Sequence, residues 1–289
     1  MRNKREKLWI YLFLLPSIAI FLLFYLSPII TVLYTSFTQW DGYNAPKFVG
    51  LANYTKLFSK TEFRISVKNL LYWSLIAGTL HVGYGVLIAF ILYRKPFGWK
   101  FVRGVFMIPN VISVAAWAMI YRFIFNDDFG VLNNAIRIFN PNFSVKWFYE
   151  SPHAFWAITF TWLFYAVVVT LVVLTDLMAI PKELHEAALI DGASRSRIIF
   201  NIDLPLCKHA IGTSVIISIT SRIAMYEPIA LTTKGGPGDD TMNIPLILVK
   251  AISDMNYGYA NAAAVVMLVF GIVTLYFINK VFKMNESAL

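Results

Sequence analysis

Arg222 and Glu227 stand inside an otherwise apolar run at residues 210–231, and His81 stands inside another. An ionisable group within a bilayer is disfavoured unless it faces a wet cavity or a polar partner, by about 2.5–3.5 kcal/mol for an arginine at mid-helix on insertion scales. The chemistry open to such residues is to line a solute path, with Tyr226 between them, or to anchor a neighbouring helix. Five residues apart, Arg222 and Glu227 form a poor helical pair, so at least one points elsewhere. Tyr72, Trp73, Tyr84, Trp117, Trp162, Tyr165 and Tyr226 offer flat amphipathic surfaces on which a ring-shaped solute could stack, although most aromatics in such a chain pack in the core or join an interfacial belt.

Catalytic chemistry has no visible carrier. There is no H-E-x-x-H, no G-x-S-x-G, no pair of carboxylates at a span centre, and no Walker G-x-x-x-x-G-K-[ST], so the expectation is a chain that does not itself hydrolyse ATP. The single cysteine, Cys207, excludes an intramolecular disulfide, and four scattered histidines lack metal-site spacing.

The elements that must position these residues follow from composition. Of 289 residues, 58% are hydrophobic and 14% charged, which marks an all-α integral membrane protein. Six apolar runs can span, at residues 8–35, 69–93, 104–121, 151–175, 210–231 and 255–279. The first is too long for a signal-peptide core and lacks an A-x-A-like end, so it reads as a retained helix behind a basic tail, residues 1–7. Lys and Arg number fourteen on the side of that tail and ten on the other. The excess is concentrated at short connections such as 94–103, which puts both termini in the cytoplasm; it is a topological signal rather than a nucleic-acid footprint. Trp40-Asp41-Gly42 then lies in an external turn, as does the glycine-rich, flexible loop at 231–241.

Residues 181–205 form a polar island between spans four and five, expected on the cytoplasmic side. Pro181 suits a helix start, Leu184, Ala187 and Ala188 share a face, and Gly192 supplies a left-handed elbow. A second short helix follows from Ser194 to about Asn201, and Asp203 before Pro205 reads as the start signal of the next span. A connecting surface helix would explain the composition alone. The small face and Glu186 at its rim instead give a docking knob.

The spacing Glu186-Ala187-Ala188, Gly192, Ile202, Leu204-Pro205 resembles the E-A-A-x3-G-x9-I-x-L-P loop of binding-protein-dependent ABC importer permeases. Further strings resemble the sugar branch of that family, maltose and glycerol-3-phosphate permeases among them: Phe48-Val49-Gly50-Leu51-Ala52-Asn53-Tyr54, Ile108-Pro109-Asn110, Leu231-Thr232-Thr233-Lys234-Gly235-Gly236-Pro237 and Tyr257-Gly258-Tyr259-Ala260. The resemblance implies a permease domain over residues 8–289, with a core at about 69–281, in the cytoplasmic or inner membrane. It implies a second permease chain, two ATPase copies that hold the ATP and magnesium, no cofactor on this chain, and an external solute-binding protein. Glu186, Ala187, Ala188, Asp191, Gly192 and Arg195 would couple to the ATPase, Gly235, Gly236 and Pro237 would face the binding protein, and Arg222, Tyr226 and Glu227 would border the path. An importer for glycerol-3-phosphate or another polyol is the alternative cargo. An ion-driven secondary transporter is the rival mechanism, against which stand the few membrane carboxylates, Asp176 and Glu227, and no visible inverted repeat.

Overall fold

The computed structural model describes residues 4–284; Arg2 of the basic tail and residues 285–289 lie outside the described residues. Helices account for nearly all regular structure. Among the described residues four are long and apolar enough to cross a membrane, Trp9–Thr35, Thr61–Tyr93, His153–Ala179 and Tyr257–Phe282; a fifth span arises if Arg195–Leu206 and Lys208–Ala230, bent by 65°, count as one. The run at 104–121 is not a single helix. Trp99–Met107 gives way to a 3-10 turn, Ile108–Val111, and the helix resumes at Val114–Ile124 with Ser113 Oγ accepting from the Ala116 N–H. The break falls at Pro109, which has no N–H to give and restrains the residue before it.

The chain forms two compact units, Met1–Lys60 with Ile247–Leu268, and Thr61–Leu246 with Val269–Leu289. In the first, the window that marks Trp9–Thr35 as a span has no buried residue, so this helix leaves its apolar surface for lipid or another chain. A hairpin pairs Thr38 with Phe48 and Gln39 with Lys47. Its turn is tied by Asp41 Oδ1, which accepts from the Tyr43 and Asn44 N–H groups; together with Asn44 Nδ2 these donors hold the carboxyl at about 2. Asn53 Nδ2 donates to the Ser36 and Thr38 carbonyls at 2.9 and 2.8 Å. A Cβ on Gly258 would stand 1.9 Å from the Thr38 carbonyl oxygen, which explains a glycine at that helix start.

In the second unit, Thr61–Tyr93 packs on Val167–Ala179, which in turn packs on Lys208–Ile223. The first crossing is close: a Cβ at Gly85 would meet Val169 Cγ1 at 2.5 Å, and Thr170 Oγ1 donates to the Gly85 carbonyl at 3.0 Å. Such small-residue crossings are how helices associate where lipid removes the hydrophobic driving force. Trp73, 1% exposed, donates from Nε1 to Thr159 Oγ1 at 3.0 Å. It is a core residue, not a sugar platform.

Candidate functional site

Two sites are built on this second unit. The first is the polar island. Lys182–Ile190 is a helix with Pro181 at its N-cap. At its other end Gly192 has φ +75°, its N–H donates to the Leu189 carbonyl at 3.1 Å, and the Ala193 N–H donates to the Ala188 carbonyl at 2.9 Å. This paired-bond ending with a left-handed glycine closes the helix and turns the chain. A Cβ on Gly192 would meet nothing within 4 Å, so the glycine is required by its backbone, not by its surroundings. Glu186, Ala187, Asp191 and Arg195 are exposed and Ala188 is half-buried. Leu189 and Ile190 are 57% and 86% exposed, an apolar tip that water alone does not favour.

Ser194 caps the second helix, accepting from the Arg197 N–H at 3.3 Å. That helix is shorter than expected, Arg195–Ile198, and continues into a wider π-type turn, Ile199–Asp203. Asp203 precedes the short helix Leu204–Leu206 but makes no capping bond with its side chain. It is helical and buried, and its Oδ1 lies 2.7 Å from His185 Nε2. A distant histidine competes for the carboxylate that sequence assigns to a cap. The long helix Lys208–Ile223 begins only after Cys207.

The second site is a cavity of about 350 Å³ lined by Asn110, Trp117, Trp162, Tyr165, Arg222, Tyr226 and Glu227, among others. Arg222, Tyr226 and Glu227 therefore meet, because the run at 210–231 breaks between Arg222 and Glu227: Lys208–Ile223 ends and Glu227–Ala230 starts afresh. Pro228 in the first turn of that short helix restrains Glu227 and is the local signal for the break. The two charges are not paired. Arg222 lies over the Trp162 ring, 4.4 Å from its centroid, and Nη1 reaches Met225 Sδ at 3.6 Å. No carboxylate lies within ion-pairing distance of it among the described residues. A cation over an indole face gains about 0.5–2 kcal/mol, more when dry. Tyr165 donates to Asn110 Oδ1 at 2.7 Å and Trp117 Nε1 to the Thr161 carbonyl at 2.7 Å, so the aromatic walls are oriented. Tyr84, edge-on to Phe164, and Tyr72 lie outside this cavity. His81 is likewise a packing group, with Nδ1 2.9 Å from the Leu163 carbonyl.

Sequence reasoning missed Asn243 and Asn69. Buried Asn243 donates to the Met225 carbonyl at the break, and its Oδ1 accepts from the Leu246 N–H at 3.0 Å. Asn69 Nδ2 donates to the Asp240 and Met242 carbonyls at 2.8 and 2.9 Å. The loop at 231–241 is accordingly tied down: Thr233 and Thr241 hydroxyls meet at 2.6 Å, Thr241 Oγ1 donates to the Gly236 carbonyl, and Gly235, at φ +94°, leaves a Cβ 2.8 Å from Met242 Cε. Gly235, Gly236 and Pro237 belong to a hydrogen-bonded turn rather than an open linker. No group of His, Cys, Asp and Glu able to hold a metal occurs among the described residues.

Residues 82–283 match the family model for the binding-protein-dependent transport system inner membrane component. A probable ABC transporter permease of Bacillus subtilis, YurN, is 30% identical, the alignment covering 98% of this chain and 99% of that protein. The trehalose/maltose transport permease MalF of Thermococcus litoralis is 29% identical over 90% of this chain and 88% of its own. A solved bacterial ABC transporter that imports the acidic polysaccharide alginate superposes with a TM-score of 0.83 over 98% of both chains, at 22% identity; that likeness concerns the fold.

Proposed function

The chain belongs to the binding-protein-dependent transport system inner membrane component family, a multi-pass membrane family, and from that premise we propose that it is one permease subunit of an ABC importer for a sugar or oligosaccharide. A second permease completes the path, an external solute-binding protein delivers the cargo, and a separate ATPase carries the ATP and magnesium. In this reading the chain crosses six times, the bent pair and the broken third run each crossing once, with both termini and residues 181–205 in the cytoplasm.

The observation that carries the reading is the loop at 181–205: an exposed helix with an apolar tip, closed by a glycine elbow and held to its own unit through His185, offers a partner a rigid handle. A partner that closes on ATP would move the handle, and the unit above would follow as a body. The cavity fits a sugar on its chemistry: Trp117, Tyr165 and Tyr226 give apolar ring faces, while Asn110, Arg222 and Glu227 give polar groups for hydroxyls. The trehalose/maltose permease named above supports that cargo class, and a polyol such as glycerol-3-phosphate would use the same groups. Gly235, Gly236 and Pro237 face the binding protein in this arrangement.

Uptake of labelled sugar into vesicles tests it. The reading requires uptake that depends on internal ATP, the partner ATPase and the binding protein. Uptake that continues without ATP and stops when an ion gradient is collapsed would overturn it.

A further inference from the structure

Between the end of helix Thr61–Tyr93 and the loop at 181–205 lies a cavity of about 370 Å³, lined by Phe90, Tyr93, Arg94, His185, Arg195, Ile198, Ile199 and Asp203. Its rim is cationic: Arg94 and Arg195 are exposed, and neither has an ion-pair partner among the described residues. Its one carboxylate, Asp203, is 4% exposed and engaged by His185, which keeps negative charge away from the mouth. Its floor is apolar, from Phe90, Ile198 and Ile199. Leu87 and Ile91, 57% and 43% exposed, stand two turns and one turn before Arg94 on the same helix face. An apolar stripe thus runs up to a pair of free arginines at the end of a span. We infer that this cavity binds the headgroup of an anionic phospholipid, its phosphate between Arg94 and Arg195 and its acyl chains along Leu87 and Ile91.

Arginine is suited to the phosphate because its planar donors can engage two oxygens at once, and basic pockets between spanning helices are where acidic headgroups are held. Free phosphate would use the rim but leave the stripe without purpose, which favours the lipid. The site would join a span to the docking loop, since Arg94 belongs to one and Arg195 to the other. A bound lipid would then set how firmly the loop is carried by the membrane body. The inference rests on the membrane placement proposed above, and is independent of the cargo.

The test uses the full-length permease with its co-purifying subunits, washed in mild detergent, with retained lipid measured by native mass spectrometry. Wild type should retain phosphatidylglycerol in preference to phosphatidylcholine. The variant Arg94→Gln/Arg195→Gln should lose about tenfold or more per arginine, as removal of a charge-assisted contact implies, whereas Lys182→Gln, exposed on the same loop but outside the cavity, should retain it. Equal retention by the double variant, or no preference between the two lipids in wild type, overturns the inference. So does inorganic phosphate that raises the unfolding temperature of delipidated wild type as much as short-chain phosphatidylglycerol does. If the double variant keeps its lipid and loses the ATPase subunit, the rim belongs to the protein interface and the lipid assignment fails. Retention is read without transport, so a failure of the importer reading and a failure of this site are separable.

Discussion

His185 Nε2 and Asp203 Oδ1 lie 2.7 Å apart across eighteen residues of chain, and the two are 19% and 6% exposed at the side chain. This contact fastens the middle of helix Lys182–Ile190 to the helical stretch Arg195–Leu206. Elsewhere that helix is largely exposed. Asp203→Ala strands the imidazole and His185→Ala strands a buried carboxylate, each a loss of about 1–3 kcal/mol. The expected outcome is faster hydrogen exchange at the amides of residues 182–190 with unchanged exchange in helix Thr61–Tyr93. Unchanged protection of the loop in both variants would mean the contact does not hold it.

Gly192→Leu should abolish coupled transport. A side chain in the left-handed region is disfavoured by roughly 1–2 kcal/mol, and Gly192 has φ +75° with open space where a Cβ would stand. Gly192→Asn separates the two effects, because asparagine tolerates that backbone but still adds bulk. Transport lost in both variants assigns the defect to the docked surface; transport restored in Gly192→Asn assigns it to the turn. Normal uptake and normal ATPase co-purification in Gly192→Leu would remove residues 186–192 from the coupling surface.

For Arg222 and Glu227 the informative quantity is uptake per assembled complex. Arg222→Met removes the cation from the Trp162 face and should leave assembly intact while transport falls, and Glu227→Gln should do the same. If Arg222 serves only as an anchor, the amount of complex drops and what survives transports normally. Normal uptake in both variants would take the pair off the path.

Topology is checked with cysteines at Lys47 and Arg195 in a Cys207→Ser background, where the buried native thiol no longer competes. An impermeant reagent should label the two from opposite sides of the membrane. Same-side labelling would mean that one of the three runs between them does not cross, the broken third run first among them.

What sequence reveals and what it hides divide along the distance between partners. The elbow at Gly192, the start at Pro181 and the cap at Ser194 are each decided within four or five residues, so residue type and spacing are sufficient. The apolar runs are local too, and the outer helices follow them within a few residues. The third run misleads hydropathy because its break depends on Pro109, whose effect on a span varies with what surrounds the freed carbonyl groups. Asp203 looks like a cap in sequence because its true partner, His185, is far along the chain, and the seat of Arg222 is invisible because Trp162 lies sixty positions earlier. Asn69 and Asn243 give no pattern at all. A lone asparagine in an apolar run says only that a partner must exist, not where.

The bond from Asn243 to the Met225 carbonyl changes what emptying the cavity requires. Hydrocarbon does not tolerate open backbone, so an interrupted helix at membrane depth ordinarily needs water, cargo or another helix to quench the exposed carbonyl. Here the protein quenches that carbonyl itself, with a buried amide. The interruption therefore does not depend on water or solute at that carbonyl, and were the cavity the solute path proposed above, an arriving solute would meet a vestibule that has kept its form.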